Sequence, residues 1–272
     1  MKVAFFTICV NSEPLIEAWI KHYQAVLDQL IIVEGATDSF AKALNWRSPR
    51  STDNTIEIIK KYPNVQLIQL PFNYKDKNEM CNEAMRIINK DIDYVWYADS
   101  DEFYKHDDIY FIKQLLGKNE YSYVEFKMHH FWKHFDVIGV GGNKWAYDTS
   151  IPRIWKYHNG ASFINHRPPT ILNGQNIDLK NIKPLFAENN PVKCLHYSYI
   201  FEQQVREKMQ YYSIVFERDY MGWFNNCWKA WSKLNRQYIE SRYSIHPSNA
   251  GATTQDIQIE HPKAINEIIP KV

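Results

Sequence analysis

The chain has 272 residues, a formal net charge of +1, and 45% hydrophobic and 23% charged residues. This is an ordinary globular profile that excludes a disordered chain and leaves no electrostatic basis for general nucleic-acid or membrane binding. The length accommodates one large α/β domain, alone or with a helical appendage, and a sizeable core. The aromatic share is high at 15%, with nine Trp and eighteen Tyr; such side chains fill cores and also stack on sugars and bases.

The opening run "MKVAFFTICV" stops at "NSEP", too short for a signal segment or a membrane span, and reads as a first buried strand. No later apolar run approaches membrane length, which leaves only peripheral membrane contact. In "EPLIEAWIKHYQAVL", Leu15, Ile16, Trp19, Ile20 and Tyr23 recur at helical spacing, with Ser12 as N-cap and Pro14 in the first turn. "QLIIVEG" is the second strand. "STDNTIEIIKKY" is a helix opening on capping residues, "VQLIQL" the third strand, "KNEMCNEAMRIINK" a helix and "DYVWYA" the fourth strand. Three strand–helix units running into a fourth strand predict a doubly wound, Rossmann-like nucleotide-binding half.

Beyond Asp108, "YSYVEFKMHHFW" and "SIPRIWKYH" read as strands. The stretch 201–241 reads as one or two helices, and the tail from Ile245 as a loop packed on the body. Asp107 and Asp108 open a helix, where acids favour the dipole. The division expected is a nucleotide-binding half over 1–108, an acceptor-side half of the same catalytic domain over 109–200, and a helical C-terminal region over 201–272. Cys9, Cys81, Cys194 and Cys227 are scattered without zinc-type spacing, as suits free thiols in a reducing cytoplasm.

The chemistry concentrates in "YVWYADSDEF". In open α/β sheets the ligand lies beyond the carboxyl ends of the strands, where Asp99 and Asp101 fall. Two carboxylates two residues apart on a chain leaving a strand can converge on one point, and such oxygen ligands suit Mg²⁺ or Mn²⁺ bridging a diphosphate. A plain capping or turn element is the alternative.

Taken in order, "VNSEPLIEAWIKHY", "IIVEGA", "STDNTIEIIKKY", "DKNEMCNEAM" and "YVWYADSDEF" resemble the nucleotide-sugar half of glycosyltransferases with the GT-A fold, close to the family-2-like group. The resemblance covers roughly residues 1–105. It implies a GT-A fold with a mixed central sheet and a helical C-terminal part. It also implies a metal-dependent enzyme, needing Mn²⁺ or Mg²⁺, that moves a sugar from a nucleoside diphosphate donor to a hydroxyl of a saccharide or glycoconjugate acceptor.

Asp99 and Asp101 would be its DxD, with Asp101 the direct metal ligand and Asp99 nearer the ribose or a metal-bound water. Glu34 would meet the base or ribose. The Ser-x-Asp-x-Thr turn that usually follows closely is displaced here to Ser51–Thr55 by "TDSFAKALNWRSPR", so Asp53 and Asp38 compete for one role, and Asp53 also suits a helix N-terminus. Lys77 would contact phosphate or base, or stand as a solvated charge; Asn82 matches a polar position on that helix. His196, after "VKCL" and before a helix, would complete the metal site or be a structural histidine.

Elsewhere the residues leave more open. His166 and Arg167, ahead of two prolines, suit an acceptor or phosphate contact or a plain turn. Arg153 could meet the pyrophosphate or pack on Trp155. His129 and His130 point to opposite faces of a strand and cannot form a metal pair. Asp148, after "GVGGNKW", is the first choice for the general base of an inverting transfer, with Glu188 and Asp136 as rivals; a retaining enzyme needs none. Trp132, Trp145 and Trp155 offer stacking faces for the acceptor or simply fill the core. Two other functions compete. A nucleotidyltransferase should show a Gly-rich phosphate loop after the first strand, and "VNSEPLIEAW" has none; a non-catalytic carbohydrate-binding protein on the same scaffold sits poorly with an intact DxD.

Overall fold

The computed structural model describes residues 1–118, 121–142, 150–166, 169–172, 183–248 and 250–269. Its first half runs β1 (Val3–Cys9), α1 (Leu15–Tyr23), β2 (Gln29–Glu34), α2 (Asp38–Leu44), α3 (Thr55–Ile59), β3 (Gln66–Ile68), α4 (Lys77–Arg86) and β4 (Tyr94–Tyr97). β1 pairs in parallel with both β2 and β4, and β2 with β3, so the spatial order is β4-β1-β2-β3. Every residue of β1 is buried, as a central parallel strand requires.

Alternation sends Val3 and Phe5 to one core, with Trp19, Tyr23 and Trp96, and Ala4, Phe6 and Ile8 to the other, against Met80, Cys81 and Ala84 of α4. Phe5 lies 4.2 Å from the Tyr23 ring centre and 5.1 Å from that of Trp19, and burying one such side chain contributes roughly 1.5–3 kcal/mol. Helices on both faces of parallel strands make the doubly wound half expected from the pattern.

The chain continues through β5 (Glu102–Phe103), α5 (His106–Gly117), β6 (Tyr121–Trp132), β7 (His134–Gly141), β8 (Ser150–Lys156), β9 (Ser162–His166), β10 (Pro169–Leu172), β11 (Lys183–Leu185) and β12 (Lys193–Tyr199). β8 joins β4 antiparallel and β6 joins β8 antiparallel, so the central sheet is mixed. β6 then pairs with β12 along its far end, placing His130 level with His196.

Last come α6 (Glu202–Val215), α7 (Tyr220–Trp223), a π-helical turn (Phe224–Lys229), α8 (Arg236–Glu240), β13 (Ala252–Asp256) and α9 (Lys263–Asn266). The expected one or two helices are thus more finely divided. Glu217 takes φ +50° just after α6, and the Asp219 side chain accepts the Gly222 N–H at 2.6 Å to restart the chain as α7. These pieces and the ends of β6, β7 and β12 share an aromatic core that includes Trp132, Phe224, Trp228 and Trp231.

The tail expected as loop also carries β13, antiparallel to β7; "ATTQD" has only Ala252 and Thr254 facing inward, too weak an alternation to read as a strand. The insertion after β2 holds the unexpected helix α2, capped by the Thr37 hydroxyl accepting from Phe40 N–H at 3.3 Å. Among the described residues no helix is long and apolar enough to cross a membrane.

His22, on α1, is buried and donates from Nε2 to the Tyr104 carbonyl at 2.6 Å. Burial pushes its pKa down to about 4. The folded state therefore holds the neutral ring; its contribution is fully present above the ordinary value near 6.5 and is lost as pH falls towards 4. Urea unfolding should show the protein losing about 3 kcal/mol over that window from this group, with a shallower decline in His22→Gln.

Candidate active site

β1 and β4 are adjacent, and the strand order turns back between them; this is the switch point where open α/β sheets bind ligands. The loop 10–13 leaves β1 there, and the acidic turn leaves β4. A cleft of about 1110 Å³ opens beside them, bounded by Asn11, Ser12, Thr37, Lys77, Asp99, Asp101 and His196, and by residues of α6. That volume includes open solvent at the mouth of the cleft.

The acidic turn is closed from both ends. Glu102 N–H donates to the Asp99 carbonyl at 3.0 Å, and Asp99 N–H donates to Glu102 Oε2 at 3.2 Å. Successive side chains then diverge, as the alternation of β5 requires. Glu102 turns inward, where Arg153 of β8 grips it with a two-pronged contact, Nε to Oε2 at 2.8 Å and a terminal nitrogen to Oε1 at 2.5 Å. Glu102 is fully buried and Arg153 nearly so. Burial raises the Glu102 carboxyl above its ordinary value, with Arg153 opposing.

Arg153 also lies 3.6 Å from Asp99 and 5.0 Å from the Tyr97 ring centre. The Tyr97 hydroxyl donates to Asp99 Oδ1 and, having one proton, must accept at 2.8 Å from Nε2 of His166. A line of contacts therefore runs from His166 on β9 through Tyr97 to Asp99.

Asp101 faces the other way. Its Oδ2 accepts from Gln204 of α6 at 3.0 Å, and its Oδ1 lies 3.4 Å from Nε2 of His196. Burial by itself would raise the Asp101 carboxyl; His196 and Lys208 outweigh it and hold the group below its usual value. His196 Nδ1 meets His130 Nδ1 at 2.7 Å. Burial drives the His130 ring well below its ordinary value, and the neighbouring His196 adds to this.

Two ligands of one divalent ion, each about 2.0–2.2 Å from it, lie about 3 Å or slightly more apart. The separation of Asp101 Oδ1 from His196 Nε2 matches, and His130 behind His196 supplies the outer contact that fixes a ligating ring. Asp99 is turned towards Tyr97 and Arg153, and among the described residues no group of three or more His, Cys, Asp or Glu is gathered tightly enough to hold a metal. Such a pair would leave an ion to fill its remaining positions with water and substrate phosphate; the carboxylate is a donor that suits Mg²⁺ or Mn²⁺, the imidazole less so.

The other expected residues are placed as follows. Lys77 opens α4 on the cleft wall. Glu34 is buried at the end of β2; Oε1 accepts from Ser51 N–H and hydroxyl, both at 2.7 Å, and Oε2 from Gln69 at 2.6 Å. Asp53 accepts from Thr55 N–H at 3.0 Å and Glu13 N–H at 3.1 Å, at the start of α3. Asp38 is the first residue of α2. Asn82 clamps the backbone of Phe163 on β9, donating to its carbonyl at 3.0 Å and accepting its N–H at 2.7 Å.

Trp132 and Trp155 are buried in the cores. Asp136 is exposed and paired with Lys233 at 2.5 Å, and Glu188 is exposed. Asp148, Arg167 and Trp145 lie outside the described residues. His196 sits in the middle of β12 instead of at its end, because β5 pairs alongside and prolongs the strand. Ser12 does not cap α1; its hydroxyl accepts from Ser100 at 2.9 Å, joining the β1 loop to the acidic turn.

Sequence reading missed the wall formed by α6. Gln204, Glu207, Lys208, Tyr211 and Tyr212 all line the cleft, at the spacing of one helix face. Periodicity identifies the apolar face, here Val205 and Met209, and cannot separate a polar face turned to ligand from one turned to water. Asn11 was also missed: it takes φ +46°, accepts the Thr52 N–H at 2.8 Å and donates to Glu207 at 3.2 Å.

Arg153→Met should lower the unfolding free energy by about 3–5 kcal/mol by leaving a buried carboxylate unpaired, and Arg153→Met with Glu102→Leu should recover most of the loss in urea melts. Asn82→Ala should cost about 1–3 kcal/mol in the same assay through its two lost backbone partners.

Residues 48–131 match the family model described as glycosyl transferase family 2. No curated protein matches the sequence. Among solved structures, S. aureus TarS 1-349 is similar at 14% identity over 89% of this chain and 79% of its own, with a TM-score of 0.45; the same protein has been solved with UDP-GlcNAc. Against the longer TarS chain the coverage is 90% of this chain and 46% of that one. Glucosyl-3-phosphoglycerate synthase from Mycobacterium tuberculosis, solved with Mn²⁺, UDP and glucosyl-3-phosphoglycerate, is similar at 18% identity over 48% of this chain and 44% of its own, with a TM-score of 0.33. The match over residues 48–131 spans the acidic turn, and the chain's resemblance to family-2-like glycosyltransferases of the GT-A fold is borne out.

Proposed function

We propose that this protein is a glycosyltransferase that binds a nucleoside diphosphate sugar in the cleft and passes the sugar to a hydroxyl of a saccharide or glycoconjugate acceptor, with Mn²⁺ or Mg²⁺ as cofactor. The observation that carries the reading is the pairing of Asp101 with His196 beside Asp99, at the switch point of a doubly wound sheet and on the wall of an open cleft. The reading keeps the expected division at 108 and 200 and a cytoplasmic location; four buried free thiols favour the latter.

Departure of a nucleoside diphosphate leaves negative charge on its terminal phosphate, and stabilising that charge is the main demand of the reaction. A divalent ion bound by Asp101 and His196 supplies a Lewis acid for it. The protein's part is preorganisation. Gln204 and His196 hold Asp101 ionised and oriented. Arg153 and Tyr97 fix Asp99 at the other side of the turn, suited to a ribose hydroxyl or a metal-coordinated water. Lys77 brings positive charge at the start of α4, and the buried Glu34 holds the Ser51–Asp53 turn against the nucleotide end.

On the acceptor side, Asp148 is the proposed base of an inverting transfer, and His166 and Arg167 the proposed contacts. His166 is supported by its link through Tyr97 to Asp99.

The test is a panel of nucleoside diphosphate sugars with and without Mn²⁺, read by thermal shift and by slow donor hydrolysis. One donor should stabilise the protein in a metal-dependent way, and Asp101→Ala should reduce its hydrolysis by about 10²-fold or more. If no donor shifts the melting temperature and Asp101→Ala changes nothing, the transferase reading fails. Metal-dependent stabilisation without turnover on any donor or acceptor would indicate a binding protein.

A further inference from the structure

The cleft faces a substrate carrying two phosphates, yet much of its ionisable lining is acidic: Glu13, Asp99, Asp101 and Glu207 against Lys77, His196 and Lys208. These acids would repel a diphosphate unless cations stand where its charge falls. Most of them are already engaged by protein groups. Asp99 has Tyr97 and Arg153, Asp101 has Gln204 and His196, and Glu207 accepts from Gln203 at 2.6 Å and from Asn11.

Lys208 differs from the charged residues around it. On the same helix Arg206 is paired with Glu202 at 2.8 Å, and Lys229 of the π-helical turn reaches the same carboxylate at 3.6 Å. Lys208 is half-buried, and among the described residues its ammonium makes no hydrogen bond and no ion pair within 4 Å. It lies 4.9 Å from the centre of the Tyr199 ring, a face that attracts a cation without neutralising it.

A half-buried lysine whose ammonium has no hydrogen-bonded or ion-paired protein partner within 4 Å contributes little as a structural device. It is well suited to an anion that arrives later. Its position adds a second reason: it is one helical turn beyond Gln204, whose amide fixes Asp101, and it lines the same cleft as Asp101, His196 and Lys77 of α4.

We propose that Lys208 is the residue of α6 that binds the diphosphate of the nucleotide, forming with Lys77 a pair of cations that line the cleft from two different helices. The inference rests on the transferase reading and extends it, because it assigns to α6 a share of the leaving-group charge that the metal and Lys77 would otherwise carry. Lysine serves as a compact point charge for phosphate. Arginine should therefore substitute in charge and in part in geometry.

The experiment measures equilibrium binding of UDP, GDP, CDP, ADP and dTDP, each beside its own monophosphate, first in chelator and then in Mn²⁺. For whichever diphosphate the wild-type protein binds, Lys208→Ala should weaken affinity about 10-fold or more, the scale of a lost charge-assisted bond. The matching monophosphate should weaken less than about threefold, because it lacks the second phosphate. Lys208→Arg should keep most of the diphosphate affinity, and Lys208→Gln, uncharged but polar, should behave like Lys208→Ala. Urea melts of all three should overlay the wild type.

Equal weakening of diphosphate and monophosphate would show that Lys208 acts only by shaping the cleft around Asp101, and unchanged diphosphate affinity would show that it does not touch the phosphates; either overturns the proposal. If the wild-type protein binds none of the five diphosphates even with Mn²⁺, the transferase reading itself has failed and this inference goes with it.

Discussion

The site depends on one buried ion pair. Glu102 is fully enclosed, and an unpaired carboxylate there would cost several kcal/mol. The forked grip of Arg153 removes that cost and ties β8, which belongs to the antiparallel part of the sheet, to the turn leaving parallel β4. Once Glu102 points inward, Asp101 and Asp99 ahead of it are directed elsewhere. The acidic run is therefore divided between structure and chemistry within three residues: a neutralised anchor, a carboxylate fixed by Tyr97 and Arg153, and a carboxylate directed at His196.

Around this anchor the cleft is assembled from parts distant in the chain. The β1 loop reaches the acidic turn through Ser12 and Ser100, and it reaches α6 through Asn11 and Glu207. α2 packs on the same helix, with Phe40 5.4 Å from the Tyr211 ring centre and Ser39 3.3 Å from the Tyr211 hydroxyl. α6 thus faces both the strand ends and the inserted helix. A polar face that would ordinarily be solvated becomes a wall, which is why a lysine can stand there half-buried.

The doubly wound first half was the most legible part. Strands such as "KVAFFTICV" are buried on both faces and read as continuous apolar runs, while α1 and α4 carry one apolar side each, and both signals are local. Asp99 and Asp101 were legible for the same reason, since a strand end can be located from the apolar run before it. Glu34 and the Ser51–Thr55 turn show where local reading stops. They stand 17 positions apart in the chain for Ser51, yet the inserted segment loops out as α2 and returns, so that Glu34 holds Ser51 directly. The insertion separates Glu34 from Ser51 in sequence but not in space. Arg153 and Asn82 were recognised as notable polar positions, but their partners, Glu102 and the Phe163 backbone, lie 51 and 81 residues away.

By itself, the sequence determined the alternating units of the first half, the place of the acidic turn at the end of the fourth strand, and the absence of a zinc-type cysteine pattern, because each follows from periodicity or spacing within a short window. Only the tertiary structure decided which carboxylate of "DSDE" is buried, that His130 stands behind His196, that β13 closes the sheet, and that α6 turns Gln204 and Lys208 towards the cleft. Those outcomes depend on which surfaces meet once strands and helices pack, and burial, pairing and charge neighbourhood are properties of that contact rather than of any one segment.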